Sequence, residues 1–136
     1  MGNSARRGGG LNNIEGTCLL QRTTITSNTA AGSGSGIWNQ SDARLTLEDC
    51  EVTANAESVA ILSEDASLKI FGGQVSDNLQ GGIFALDQRL VLSGVTFARN
   101  RTRGAVVCDA DFLRLEIDRC VFLENQTEED GGALEC

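Results

Sequence analysis

Apolar residues return along this chain in pairs that bracket a single position: Cys18 and Leu20, Leu45 and Leu47, Leu68 and Ile70, Leu90 and Leu92, Leu115 and Ile117. Alternation with a period of two marks a half-buried strand. Each pair is followed by one more apolar residue, Ile25, Val52, Val75, Phe97 and Phe122, and three positions later by an asparagine, Asn28, Asn55, Asn78, Asn100 and Asn125. Asn3 begins the series, and successive asparagines stand 25, 27, 23, 22 and 25 residues apart. A third short apolar segment follows each asparagine, and its inward position is expected at Trp38, Ile61, Phe84, Val106 and Leu134. No segment keeps apolar residues at helical spacing.

Three strands in fixed order at a period of 22–27 residues define a solenoid rather than a closed globule. A two-layer sandwich also has many short strands, but it does not require their order to recur. The pattern predicts an all-β, single-stranded parallel β-helix of about five complete coils. Its hand is right, by the handedness of parallel crossovers. Residues 1–136 form one domain, with 1–17 a partial first coil and 18–136 regular coils. No polar cap is evident at either end, so a piece of a longer β-helix, with further coils in the parent chain, is expected.

The repeat explains the residue choices. Leu, Ile, Val and Phe stack in interior columns. A column of Asn28, Asn55, Asn78, Asn100 and Asn125 lets each amide bond its neighbour across one strand spacing, roughly 4.8 Å. Asparagine is also expected to take the left-handed backbone of the turn. Glycines at Gly8-Gly9-Gly10, Gly36, Gly81-Gly82, Gly104 and Gly131-Gly132 precede the third strand. A phosphate cradle would need a helix after them; strands follow, so they read as sharp corners.

Phe97-Ala98-Arg99-Asn100 and Phe122-Leu123-Glu124-Asn125, with Gly81-Gly82-Ile83-Phe84 and Gly131-Gly132-Ala133-Leu134, resemble the FxxN and GGAI elements of the chlamydial polymorphic outer-membrane protein repeats. Gly8-Gly9-Gly10-Leu11-Asn12-Asn13 is similar to repeats of other bacterial surface proteins, and the coil pattern resembles pectate-lyase-like β-helices. The likeness covers nearly the whole chain through short motifs. It implies a right-handed β-helix from a secreted or surface-exposed, often adhesive, protein. Val52, Val75 and Ile25 stand where the repeat has Phe.

Composition narrows the chemistry. A net charge of −8 argues against nonspecific nucleic-acid binding, which requires a basic surface. No apolar run is long enough for a transmembrane helix, and Met1 to Gly10 lacks the apolar core of a secretory signal. With no histidine and no C-x-x-C pair, a zinc site is not expected. Cys18, Cys50, Cys108, Cys120 and Cys136 all fall on inward columns and read as free, buried thiols. Only Cys108 and Cys136 occupy matching positions in neighbouring coils, and a parallel ladder aims their side chains the same way.

Three surfaces are candidates for function. The turn before each first strand carries Asp42, Asp65, Asp87 or Asp111, a stack of like charges that a calcium ion could bridge. No other cofactor is implied, and neutralisation by nearby basic residues is the plainer expectation. Arg44, Lys69, Arg89 and Arg114 project from the first-strand sheet as a broken basic stripe suited to a ligand. Leu62, Ile83 and Val107, with Ala60, Ala85 and Ala105, are expected on an apolar outer face of the third strand, a contact surface for protein or covering chain. Glu116 is the one acid among the outward first-strand positions, so the paired carboxylates of glycoside hydrolysis are lacking. The expectation is a non-catalytic, extracellular or cell-surface binding segment or stalk with a protein or glycan ligand. The alternative is a fragment of a polysaccharide-degrading enzyme whose active centre lies elsewhere.

Overall fold

The computed structural model describes residues 2–86, 89–109, 114–128 and 130–136, and every regular element among them is a strand. Three parallel sheets run along the solenoid. The first stacks Thr17–Gln21, Arg44–Glu48, Ser67–Phe71, Arg89–Ser93 and Arg114–Asp118. The second stacks Thr24–Thr26, Glu51–Thr53, Gln74–Ser76, Thr96–Ala98 and Val121–Leu123. The third stacks Leu11–Ile14, Ile37–Gln40, Ile61–Glu64, Ile83–Leu86, Val106–Cys108 and Leu134–Glu135. Ser4–Arg7 and Thr29–Ser33 add a two-stranded parallel ladder beside them. Spatial neighbours are one coil apart in sequence, which is the connectivity the repeat predicts.

Register is unbroken through the first sheet. Leu45, Leu68, Leu90 and Leu115 form one column and Leu47, Ile70, Leu92 and Ile117 the next. In the second sheet Ile25, Val52, Val75, Phe97 and Phe122 align. These columns meet in one apolar core. Phe97, fully buried, stacks on Phe122 with ring centroids 5.1 Å apart. Burial is complete in the middle coils and partial at Cys18, Leu20, Leu115 and Phe122, because a terminal coil has a neighbour on one side only.

The asparagine column is a continuous ladder. Asn3, Asn28, Asn55, Asn78 and Asn100 each donate through backbone N and Nδ2 to the Oδ1 of the next asparagine, ending at Asn125. The Nδ2 groups of Asn55, Asn78, Asn100 and Asn125 also reach back to the carbonyls of Ile25, Val52, Val75 and Phe97. One side chain thus ties three coils together. One expectation is corrected here. The left-handed backbone belongs to the residue before each asparagine, Ser27, Ala54, Asp77, Arg99 and Glu124. The asparagines are selected for their amides, not for their turn conformation.

Corners between the first and second strands put Arg22, Asp49, Gly72, Gly94 and Arg119 at positive φ, where side chains are tolerated because they point to solvent. Gly73 is different. Its φ is +76, and a Cβ there would run into the Cys50 backbone. Only glycine satisfies both the conformation and the close approach.

The third sheet departs from the sequence reading. Ile37, Ile61, Ile83, Val106 and Leu134 share the inward column, and Trp38, Leu62, Phe84 and Val107 share the outward one. Trp38 and Phe84 were expected inside and face out. Ile83 was expected on the outer contact face and is buried in the core, as are Ala60, Ala85 and Ala105. A shift of one residue exchanges the two faces of a strand, and adjacent apolar residues such as Ile83-Phe84 give no alternation to fix it. The inward side of this sheet also carries a second polar column, in which Asn13 donates to Asn39 Oδ1 at 2.9 Å and Asn39 to Ser63 Oγ at 3.0 Å. Ala85 and Cys108 continue that column in apolar form.

The cysteines are partly corrected as well. Cys50 is buried, while Cys18 and Cys120 are half-buried, and all three are free thiols. Cys108 and Cys136 are joined as a disulfide, with Cα atoms 4.6 Å apart. Cys136 lies one residue past the Leu134–Glu135 strand.

Candidate functional site

On the outer face of the first sheet, strand register sorts the basic residues into two rows. Thr17, Arg44, Ser67, Arg89 and Arg114 form one column, and Leu19, Thr46, Lys69, Val91 and Glu116 the other. The stripe is therefore a zigzag: Lys69 sits in the second row, between the coils of Arg44 and Arg89. Those three side chains line a cleft of about 550 Å³ together with Ser67, Asp42 and Asp65. Arg44 and Arg89 are two coils apart, on the order of 10 Å, so a chain-like ligand can meet both.

Arg114 lies outside this cleft. Glu116 Oε1 lies 3.2 Å from Arg89 and 3.0 Å from Arg114, one carboxylate shared by two guanidinium groups, which leaves the pair with a net positive charge. Among the described residues no direct ion pair joins Arg44 or Lys69 to Asp42 or Asp65, although all four line the same cleft. The Asp42 amide instead donates to the Asp65 carbonyl at 2.7 Å. Both aspartates have positive φ and exposed side chains. Asp87 and Asp111, the other members of the anticipated acidic stack, lie outside the described residues. Among those described, no group of three or more Asp, Glu, Cys or His side chains is gathered as metal ligands would be.

The third sheet presents a second outer surface. Trp38, Val59 and Leu62 are buried against one another, with Phe84 half-buried beside them. The Arg7 guanidinium lies 4.5 Å from the Trp38 ring centroid and the Arg103 guanidinium 5.3 Å from that of Phe84. Of the predicted contact residues, Leu62 and Val107 are on this face and Ile83 is not. The aromatic pair was missed because both rings had been assigned to the core. The signal available in the sequence was the run of two adjacent apolar residues at Ile37-Trp38 and Ile83-Phe84, which can present one member to each face.

A two-pronged, half-exposed ion pair sits beside the ladder. Arg99 donates from Nε and Nη2 to both carboxylate oxygens of Asp77, at 2.6 and 2.7 Å. That two-pronged bond holds the Asp77 carboxyl below its usual range, against a smaller opposing effect of desolvation. A depressed folded-state pKa stabilises the fold above the unfolded carboxylate pKa, and that contribution is lost as pH falls through the lower, folded value. Exposure keeps it small. Asp77→Asn is expected to leave stability at pH 7 nearly unchanged and to flatten slightly the loss of stability below about pH 4, as read by urea unfolding across pH. An unaltered acid limb would contradict it.

No helix among the described residues is long and apolar enough to cross a membrane. No curated protein and no solved structure matches the chain. A family model for the right-handed β-helix region does match, over residues 9–135, and it covers all three sheets and the whole of the described core. With the coil connectivity and the asparagine ladder, that match establishes that the chain belongs to the right-handed β-helix family.

Proposed function

We propose that this β-helix is a non-catalytic binding segment of a surface or extracellular protein, adhesive in character, and that its first-sheet cleft takes an anionic chain such as an acidic glycan. The observation that carries this reading is that Arg44, Lys69 and Arg89 line one cleft. Guanidinium groups match carboxylates bidentately, and Lys69 adds a point charge between them. Ser67 supplies a hydroxyl at the same place. A rigid rod with ligand groups repeated along its axis suits recognition of a polymer. Resemblance to the chlamydial polymorphic outer-membrane protein repeats, carried by Phe97 to Asn100, Phe122 to Asn125 and Gly131 to Leu134, supports the surface location.

A second reading is a segment of a polysaccharide-degrading β-helix enzyme whose active centre lies in other residues of the parent chain; the same cleft would then be a substrate subsite. Polygalacturonate is a suitable probe for both. The expected result is saturable binding by affinity electrophoresis, with no reducing ends released and no unsaturated product absorbing in the ultraviolet. The double variant Arg44→Ala, Lys69→Ala should bind on the order of a hundredfold more weakly, since charge-assisted hydrogen bonds contribute about 1.5–3 kcal/mol each. Product release would favour the enzyme. Equal binding by wild type and the double variant would remove the cleft from the proposal.

A further inference from the structure

The outer face of the third sheet carries a second groove that the first-sheet cleft does not explain. Two clefts of about 420 and 510 Å³ meet at Phe84 and Arg103, which line both. Glu57 and Glu64 stand in the first of them, Asp109 and Glu135 in the second. Strand register sets these groups along the solenoid axis. Glu64 pairs with Leu86, the Asp109 amide bonds the Ala85 carbonyl in the adjoining coil, and Glu135 pairs with Val107. Acids thus recur along the axis but skip the coil of Ile83–Leu86: Glu64 and Asp109 are two coil spacings apart and Asp109 and Glu135 one, at roughly 4.8 Å per coil, around the Phe84 ring.

We propose that this groove docks an arginine-bearing, extended peptide segment of a partner protein. Two observations select that occupant. The first is charge: four carboxylates face one guanidinium across the joined clefts, in a chain of net charge −8. The second is what already lies on the rings. Both outward aromatic residues, Trp38 and Phe84, carry a guanidinium over the ring. The surface is therefore built to accept that group by the attraction between a cation and the negative face of a π-system. Arg103, from the loop after Asn100, occupies on Phe84 the position that an incoming arginine would take. It divides one groove into two and acts as an internal competitor. When it swings off the ring the clefts become continuous, and a peptide can place one arginine on Phe84 with neighbouring basic residues toward Glu64 and Asp109. Side chains on one face of an extended peptide recur every second residue, roughly 6.6 Å apart, between one and two coil spacings, so basic residues two apart reach neighbouring acids of the groove.

The test uses the full chain and fluorescently labelled nona-arginine, with nona-lysine as the matched control, followed by anisotropy at physiological salt. Nona-arginine should bind several-fold tighter than nona-lysine. Phe84→Leu leaves the charge unchanged, and its neighbours in the column, Leu62 and Val107, are aliphatic; it should weaken nona-arginine about tenfold and erase the preference over nona-lysine. Phe84→Trp should retain both, and it reports on the ring should the leucine variant fold poorly. Arg103→Ala should tighten binding several-fold by vacating the ring. Glu64→Gln with Asp109→Asn should weaken binding and flatten its salt dependence. The double variant Arg44→Ala, Lys69→Ala should bind nona-arginine no more weakly than wild type, which separates this groove from the first-sheet cleft. Equal affinities for the two peptides, or an unchanged affinity in Phe84→Leu, would show general attraction to an acidic protein and overturn the proposal. Weaker binding by Arg103→Ala would overturn the competitor role.

Discussion

Asn78→Ala is expected to destabilise the fold by about 3–5 kcal/mol, a large part of the 5–15 kcal/mol typical of a whole domain. The side chain has no solvent exposure. Its Oδ1 accepts from Asn55 N at 3.0 Å and Asn55 Nδ2 at 3.2 Å, and its Nδ2 donates to Val52 O at 3.0 Å and Asn100 Oδ1 at 2.9 Å. Alanine strands those partners in the two flanking coils at once, and each buried group left unpaired costs about 1–3 kcal/mol. Water cannot step in, because the coils above and below close the site. Asn78→Asp isolates the donor. It keeps the shape but turns oxygen toward the Val52 carbonyl and Asn100 Oδ1, so at neutral pH it should cost at least as much as alanine. Asn125→Ala offers the control. It sits at the end of the ladder, half-buried, and should cost less than half as much. Chemical denaturation of the three variants decides the matter; equal losses at positions 78 and 125 would mean that burial is not the source of the ladder's strength.

That ladder was legible in the sequence because it rests on two coincident signals, the recurrence of Asn and its fixed offset from three apolar residues. The first and second sheets were legible for the same reason: Leu45-x-Leu47 or Leu68-x-Ile70 admits one inward assignment only. The third sheet was not. Its strands place apolar residues side by side, as in Ile61-Leu62 and Ile83-Phe84, because both faces are covered, the inner one by the core and the outer one by Val59 and two arginines. Period two then says nothing about which member points inward, and Ile83, Trp38 and Phe84 were exchanged. The Asn13–Asn39–Ser63 column escaped notice because only two of its members are asparagine and it ends where Ala85 begins. For the candidate site, sequence alone found the basic residues and their outward rows but not the cleft they line. The offset is readable in the pattern, since Arg44 precedes Leu45-x-Leu47 while Lys69 stands inside Leu68-x-Ile70; what the pattern does not supply is the shared ion pairing of Arg89 and Arg114 with Glu116. Column position brought Cys108 and Cys136 to matching places in neighbouring coils; that they are bonded is seen only with the Cα atoms 4.6 Å apart.

Phe97→Ala should produce the other large loss, about 3–5 kcal/mol. Phe97 is the largest wholly buried side chain and stacks on Phe122 at an interplanar angle of 9°. Its column holds valine at positions 52 and 75 and a second phenylalanine at position 122, so the two rings fill the column where it is bulkiest. Truncation opens a cavity that the neighbouring coils cannot close, since their spacing is fixed by unbroken backbone ladders on both sides. The stacked pair contributes a further ~0.5–1.5 kcal/mol beyond its area, and that portion is lost with either ring. Phe97→Leu should therefore cost about 1–2 kcal/mol, the residual cavity being small. Phe122→Ala, half-buried in the last coil, should cost roughly half as much as Phe97→Ala. Because coils in a solenoid couple chiefly to their nearest neighbours, the Phe97→Ala lesion should also localise. Hydrogen exchange should speed most at the amides of Thr96–Ala98 and Val121–Leu123, and least at those of Thr24–Thr26, three coils away. Uniform acceleration across all coils would instead show that the array opens as a single cooperative unit.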